Sequence, residues 1–579
     1  MDLDKLRSSL ESLLAPPEEG QARKLEHYLA LAAAGYVSYR ALAALLWAAS
    51  NPTEFKNSAI ESAIEAAKCL PAVKAMIQAE EDKSLAGIKR SLHGDGDPTA
   101  LLEMPREGLN AKDVLETLKT MREHETRMRD GTATGGIYSD PFSADTKTMK
   151  ELQADVWRLY SASNALYPGI YPSVRKIEAE LIRMTLSMCS APAEGSHCGL
   201  LTSGGTESVL LATKAYRDSF RSSITVLGRL MGACGPVEVV AGATRHPALD
   251  KAVKCFGMRL VTVPVNESTG FRMRPADVAA AIGPRTAFVY ASAPTFPHGM
   301  VDPIAELGKL CQRRGVGLHV DNCLGGVLMS GMRDAGIAVP EFDFAVPGVT
   351  SMSVDLHKYG LASKGASTAL FSFRELRAHA FVPVADFPGG FYVTPTMQGS
   401  RSGALMAQAW ATMVYMGRDG YTRLARSVDS MVRRFAAGVE AIDGLRLLVR
   451  PDCSCVAFTS DVFCIYALVE RMEHRRGWAF VTLQKPKAAQ LCLMQAHERS
   501  LATMLTDLSA EAAYLREHPD TKATGMAGAY AVVENLPPSA AFGTLKGYQA
   551  LALDVVPVAA PASSATAAAA AAAAGSHEA

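Results

Sequence analysis

Between Val237 and Val320 the chain alternates short apolar runs with amphipathic stretches. Val237–Ala241, Thr286–Ala291 and Gly317–Val320 read as strands, and the segments around Pro247–Phe256 and Ile304–Arg314 read as helices. Parallel strands are joined through crossover helices, and they read as continuous apolar runs because both faces are covered. The alternation therefore predicts an α/β fold with a mostly parallel sheet. In such folds a ligand sits outside the carboxyl ends of the strands.

The flanks read differently. Residues 51–130 are helical and amphipathic, and glycine and proline motifs punctuate Ala133–Gly205. Ala404–Ile442 reads as a helix, and strands and helices from Leu445 to about Ala531 suggest a smaller C-terminal α+β domain. For the 579 residues the expected parts are an N-terminal segment (1–60), a helical segment (61–160), a large domain (161–425), a small domain (426–555) and a tail (556–579). The tail contains the alanine run Ala567–Ala574 and is expected to be disordered or weakly helical, without chemistry.

Tyr28–Ala49 carries Arg40 as its only formal charge. A bilayer core takes roughly 20 apolar residues, so this segment is long enough to cross one. Tyr28 and Trp47 stand at its ends, as interfacial aromatics do. The expectation is an N-terminal helical membrane anchor; the alternative is an alanine- and leucine-rich helix packed on protein.

Lys and Arg together number 59, as do Asp and Glu, so the formal net charge is zero. That balance argues against a nucleic-acid partner, which demands an excess of cations. It leaves a small anionic ligand open, because a few local cations suffice. The eleven cysteines include no C-x-x-C pair, which fits reduced intracellular thiols. Cys453 and Cys455 admit a redox or metal reading, but no cluster has zinc spacing, so no metal is expected.

Three short segments carry chemistry. In Ser353-Val354-Asp355-Leu356-His357-Lys358-Tyr359-Gly360, a lysine beside a histidine follows an apolar stretch. Lysine is suited to Schiff-base formation because its amine condenses with an aldehyde. Alone, Lys358 reads as a surface lysine, as most lysines are. Gly317-Leu318-His319-Val320-Asp321 is a strand ending in a carboxylate, which can hold a protonated ring nitrogen or cap a helix. Ser203-Gly204-Gly205-Thr206-Glu207-Ser208 opens a helix, where free N–H groups and the helix dipole favour a phosphate; a plain helix cap is the alternative.

The ordered set of phosphate cup, carboxylate and lysine resembles fold-type I pyridoxal-phosphate enzymes. More specifically it resembles the sphingosine-1-phosphate lyases. The resemblance rests on these segments and on Pro294-Thr295-Phe296-Pro297-His298-Gly299, Cys323-Leu324-Gly325-Gly326, Lys364-Gly365, Tyr171–Glu178, Gly399-Ser400-Arg401-Ser402-Gly403 and Thr524-Gly525-Met526, and spans roughly Pro105 to Tyr530. It implies pyridoxal 5'-phosphate as cofactor, with Lys358 as its Schiff-base lysine, His357 at its phosphate and Asp321 at its ring nitrogen. It implies His246 stacked on the ring, with a helix-start surface histidine as the alternative. Gly205 and Thr206 would bind phosphate from one subunit, and Gly399 and Ser400 from the other subunit of a homodimer. Tyr138 would lie near substrate, Lys364 near the substrate phosphate or a transferred proton, and Asn164 at the entrance.

The implied reaction is cleavage of a phosphorylated long-chain sphingoid base into a fatty aldehyde and phosphoethanolamine. The membrane anchor is implied too, in the endoplasmic reticulum or another intracellular membrane, including mitochondrial, with the catalytic domain in the cytosol. The chain departs from the family pattern at Ala165 and Tyr167, where proline and histidine are usual, and at Asn322, Leu361 and Ser363. The rival readings are a group II amino-acid decarboxylase, which shares the fold and the His-Lys pair, and a non-catalytic membrane scaffold.

Overall fold

The computed structural model describes residues 71–94, 101, 103–123, 132, 134–135, 138, 144–223, 235–524 and 538–554. The candidate span at 28–49, Gly525 and Met526, and the alanine tail lie outside the described residues. Among the described residues no helix is long and apolar enough to cross a membrane.

The seven-stranded sheet consists of β1 (Cys198–Thr202), β2 (Glu238–Gly242), β3 (Arg259–Val263), β4 (Thr286–Ser292), β5 (Gly317–Asp321), β6 (Ser351–Asp355) and β7 (Ser367–Phe371). Its order is β1-β7-β6-β5-β4-β2-β3. The five strands from β3 to β6 pair in parallel, and β7 runs antiparallel to both β6 and β1. The three strands read from sequence are β2, β4 and β5, each displaced by no more than a residue at either end. Strands β1, β2, β4, β6 and β7 are buried along their whole length. That continuous burial explains why they read as apolar runs without alternation.

The register decides where the chemistry collects. Ser292 lies opposite Asp321 and Asp321 opposite Ser353. Asp355 lies opposite Ser367, which in turn lies opposite Thr202. Since β1 is antiparallel to the one antiparallel strand, it points the same way as β6. The ends of β1, β4, β5 and β6 therefore share one edge of the sheet.

The helix Gly403–Glu440 runs through position 425, the expected boundary between large and small domains. It bends at Gly417, whose φ of 58° is open to glycine at little cost. Leu424, Ala425 and Val428 on this helix are buried in the same core cluster as Phe458 and Leu491 of the C-terminal sheet. That sheet is antiparallel, with Cys455–Thr459 and Lys487–Cys492 at its centre. The two sheets thus share one core, and residues 110–531 form one compact unit.

A second unit comes from residues within 1–109 and 532–579. In it the helices Pro71–His93 and Pro538–Leu553 pack together, with Gly547 against Leu85 and His93 Nε2 2.7 Å from the Leu551 carbonyl oxygen. The helix at 538–553 therefore groups with the N-terminal helix, whereas the sequence reading assigned it to the small C-terminal domain. The close approach at Gly547 explains the grouping and is invisible in local pattern.

Candidate active site

Asp321 ends β5 with its carboxylate fully engaged. Oδ1 accepts from the Cys323 N–H and from Ser353 Oγ, both at 3.1 Å, and Oδ2 accepts from the Tyr290 hydroxyl. Burial alone would raise the carboxyl's proton affinity, but His246, Tyr290, Lys358 and the Cys323 N–H outweigh it and hold the pKa at about 2. Behind it, His319 is fully buried, with Nδ1 2.7 Å from Ser351 Oγ and its ring stacked on Tyr290. Burial pulls its pKa down to about 4, against the opposing pull of Asp321.

Asp355 ends β6 in the equivalent place and meets the lysine. Lys358 Nζ lies 3.0 Å from Asp355 Oδ2, and His357 Nε2 lies 3.6 Å from the same oxygen. Burial works against the ammonium of Lys358, but Asp355 leads the groups that hold it above the usual lysine range. The helix Gly205–Ser223 begins against this pair: a Cβ on Gly205 would lie 2.6 Å from Cys323 Sγ and 2.9 Å from Asp355 Oδ1. Gly204 lies against the His357 ring. The phosphate-cup glycines, Cys323, Asp355 and the His-Lys pair are therefore one cluster, though far apart in sequence.

Tyr138 and Lys364 join the same cluster. Tyr138 is buried edge-on against Tyr359, with ring centroids 5.0 Å apart, and Lys364 Nζ sits 5.0 Å from the Tyr138 ring centroid. Burial, then Cys492, pushes the Tyr138 phenol far above its usual range, so it stays protonated. Lys364 Nζ also donates to the His357 carbonyl at 3.3 Å. Burial, then the charge of Lys358, lowers its proton affinity. Leu361, one of the departures from the family pattern, has a φ of 60°. Its carbonyl accepts from Gln153 Nε2 at 3.2 Å, which ties the loop carrying Lys358 and Lys364 to the helix Ala144–Tyr160.

His246 is the N-cap of the helix Pro247–Cys255, as its alternative reading had it, and it is also near enough to Asp321 to stabilise that carboxylate. Its Nδ1 accepts from the Ala248 N–H at 3.1 Å, which leaves the proton on Nε2 when the ring is neutral. Asn164 reaches Ser400 rather than Lys358: its Nδ2 donates to Ser400 Oγ at 2.9 Å, and its Oδ1 accepts from the Arg401 N–H at 3.1 Å. Thr206 and Ser400 are exposed and Gly399 is half-buried. Glu207 links the two phosphate segments, since Oε2 accepts from Ser203 N–H and Oγ, both at 2.7 Å, and Oε1 from the Met397 N–H at 3.0 Å.

Sequence reasoning gave no role to Asp355, Tyr290, Ser353 or Glu207. Asp355 carried a legible signal, a strand-end carboxylate like Asp321. Tyr290 carried none, because its partner comes from the neighbouring strand. Nothing in the structure explains Asn322, whose buried side-chain amide has no hydrogen-bond partner.

The residues fit pyridoxal phosphate. His357 Nδ1 and Asp355 Oδ1 are buried without hydrogen-bond partners, at the glycine cradle that any Cβ on Gly205 would fill. A lysine amine, a strongly ionised carboxylate and a helix N-terminus are the donor set for an aldehyde, a protonated ring nitrogen and a phosphate. No group of His, Cys, Asp and Glu suited to a metal ion occurs among the described residues.

Comparison with known proteins agrees with this donor set. The pyridoxal-dependent decarboxylase conserved domain matches residues 122–461. The chain is 36% identical over 434 residues to sphingosine-1-phosphate lyase 1 of Rattus norvegicus, covering 74% of this chain and 73% of that one. The solved sphingosine-1-phosphate lyase of Burkholderia pseudomallei is 32% identical, with a TM-score of 0.67 over 72% of this chain and 94% of that one. A glutamate decarboxylase of Lactobacillus brevis superposes with a TM-score of 0.63 over 73% of this chain and 97% of that one, at 17% identity, and so shares the fold alone.

Proposed function

Because the chain belongs to the sphingosine-1-phosphate lyase family of pyridoxal-dependent enzymes, we propose that it cleaves the C2–C3 bond of sphingosine 1-phosphate or dihydrosphingosine 1-phosphate. The products are a long-chain fatty aldehyde and phosphoethanolamine. The observation that carries the reading is the convergence of Tyr138 and Lys364 on the Lys358–Asp355 pair.

Lys358 would hold the cofactor covalently through Nζ, His357 and the N–H groups at Gly205 and Thr206 its phosphate, Asp321 its ring nitrogen, and His246 its ring face. When bound, pyridoxal phosphate supplies an electron sink for the pair left on C2 as the C2–C3 bond breaks. Asp321 keeps its negative charge across the working pH range and so favours a proton on the group it faces. Tyr138, held as the neutral phenol, donates a hydrogen bond to substrate oxygen. Lys364, whose proton is loosened, takes the proton from the C3 hydroxyl and returns one to C2, so that the cleavage balances. Burial of Tyr138 and Asp355 beside the half-buried Lys358 limits the access of water to the reacting atoms.

Three further parts of the proposal rest on the sequence. The segment 28–49 anchors the chain in a membrane, where a lipid substrate partitions. The membrane is the endoplasmic reticulum, with the catalytic domain in the cytosol. The chain acts as a homodimer in which Gly399 and Ser400 serve the other subunit's cofactor. Exposed Phe387, Phe391 and Val393, close in sequence to Gly399, support the dimer, since exposed apolar patches mark interaction surfaces.

The test uses the purified full-length protein, scanned for the absorbance of lysine-bound cofactor. It is then given dihydrosphingosine 1-phosphate and, separately, glutamate. Aldehyde and phosphoethanolamine from the first support the proposal. Carbon dioxide from the second without aldehyde from the first moves the answer to a decarboxylase, and absence of the band removes both.

A further inference from the structure

The reaction places a phosphate close to the carbon whose bond breaks, because C1 of the substrate carries the phosphate and C2 the amine. A phosphomonoester near neutral pH carries close to two negative charges, so its site needs fixed positive charge. If Lys364 gives and takes a proton, it is not a fixed charge. The helix tied to the loop bearing Lys364 has another candidate.

Lys150 lies on the helix Ala144–Tyr160, one turn before Gln153 and so on the same side of the helix. Gln153 is buried and clamps that side in place, donating to the Leu361 carbonyl at 3.2 Å and to Thr412 Oγ1 at 2.8 Å. Met149, beside Lys150, is buried in the same core cluster as Tyr138. Lys150 thus sits at the edge of the buried stripe, on the side of the helix that Gln153 ties to the loop carrying Lys358 and Lys364. Its charge is felt there, since it is among the groups that lower the proton affinity of Lys364. Burial, then Arg122, lowers its own.

Neither Lys150 nor Lys364 has a carboxylate within salt-bridge distance among the described residues, in a chain that supplies such partners to most buried cations. Lys150 is half-buried and Lys364 exposed, so the Lys150 ammonium is the one whose desolvation an arriving anion would offset. Nothing in sequence pattern marks Lys150, which reads as one of several charges on an amphipathic helix.

We infer that Lys150 is a ligand for the phosphate group of the substrate, a specificity-determining residue on the helix tied to the loop that carries Lys364. This inference rests on the phosphorylated substrate proposed above. A lipid phosphate and a free phosphate ion present the same chemistry to it, and the experiment separates them.

The experiment compares wild type, Lys150→Gln and Lys150→Arg as cofactor-loaded full-length enzymes. Calorimetry with inorganic phosphate reads the anion site without turnover. Kinetics with dihydrosphingosine 1-phosphate read its use by substrate. For Lys150→Gln we expect the phosphate affinity to fall and KM to rise by about tenfold or more, with kcat and the cofactor absorbance band little changed. Lys150→Arg should restore most of both. Unchanged phosphate affinity and KM in Lys150→Gln would overturn the inference, as would a loss confined to kcat. If wild type cleaves no phosphorylated base yet binds phosphate through Lys150, the anion site stands and the proposed reaction fails.

Discussion

Lys358 Nζ and Asp355 Oδ2 lie 3.0 Å apart, so the amine that would carry the cofactor is paired with the carboxylate at the end of its own strand. Asp321, at the end of the next strand, is left to its own donors. Two strand-end carboxylates with different partners divide the work. One neutralises the lysine, and the other stays ionised for a ring nitrogen.

Lys358→Ala should abolish both the absorbance of lysine-bound cofactor and lyase activity, because no other described amine lies against Asp355. Persistence of the band in this variant would show that another lysine carries the cofactor.

Asp321→Asn removes the ionised acceptor while nearly preserving shape. Electrostatic groups of this kind contribute on the order of a hundredfold or more to rate, so kcat should fall at least that far. Tyr290→Phe removes one donor to the same carboxylate and should give a smaller loss in the same direction. Steady-state kinetics on the two variants check the ranking, and a larger loss in Tyr290→Phe would contradict it.

Gly205→Ala introduces a Cβ 2.6 Å from Cys323 Sγ and 2.9 Å from Asp355 Oδ1, closer than real contacts. Either the helix start or the buried Cys323 and Asp355 side chains must shift, which disturbs the cradle in both cases. Cofactor affinity should fall by about tenfold or more, measured by titrating pyridoxal phosphate into apo-protein and following its absorbance.

Acid titration should show two opposing buried groups. His319 is held down at about 4, so the unfolded chain binds more protons between about pH 6.5 and 4 and stability falls as pH drops through that range. Asp302 is raised by burial to about 6, so the folded chain binds more protons between about pH 6 and 4 and stability rises there as pH drops. Asp302→Asn removes the second contribution and should lose melting temperature on acidification more steeply than wild type. Equal slopes would show that Asp302 does not titrate as its burial implies. Below about pH 4 the Asp321 contribution, present above its unfolded value, is lost as pH falls toward 2.

Local sequence pattern located the parts that are one-dimensional. The helix Ile304–Arg314 carries its boundary in the sequence, with an apolar stripe and Gly315 at its C-terminus. β4 was legible because a fully buried strand needs a near-continuous apolar run, and β5 because all but its first residue is buried. Asp321 was legible because it ends such a strand, and Lys358 because it stands beside His357 after an apolar stretch. Glu207 was not, because its second partner, the Met397 N–H, lies 190 residues away in sequence.

The amino-acid sequence by itself determined the strand–helix alternation, the glycine-opened helix at Gly205, the strand-end carboxylate Asp321 and the His357-Lys358 pair. Those features follow from local preference, which needs only neighbouring residues. The tertiary structure alone decided that Asp355 pairs with Lys358, that Tyr290 and Ser353 fix Asp321, and that Gln153 ties the helix carrying Lys150 to the loop bearing Lys364. It also decided that the helix at 538–553 packs with 71–93. Each depends on strand register or on a close approach between distant segments, and those are set by packing the whole core at once.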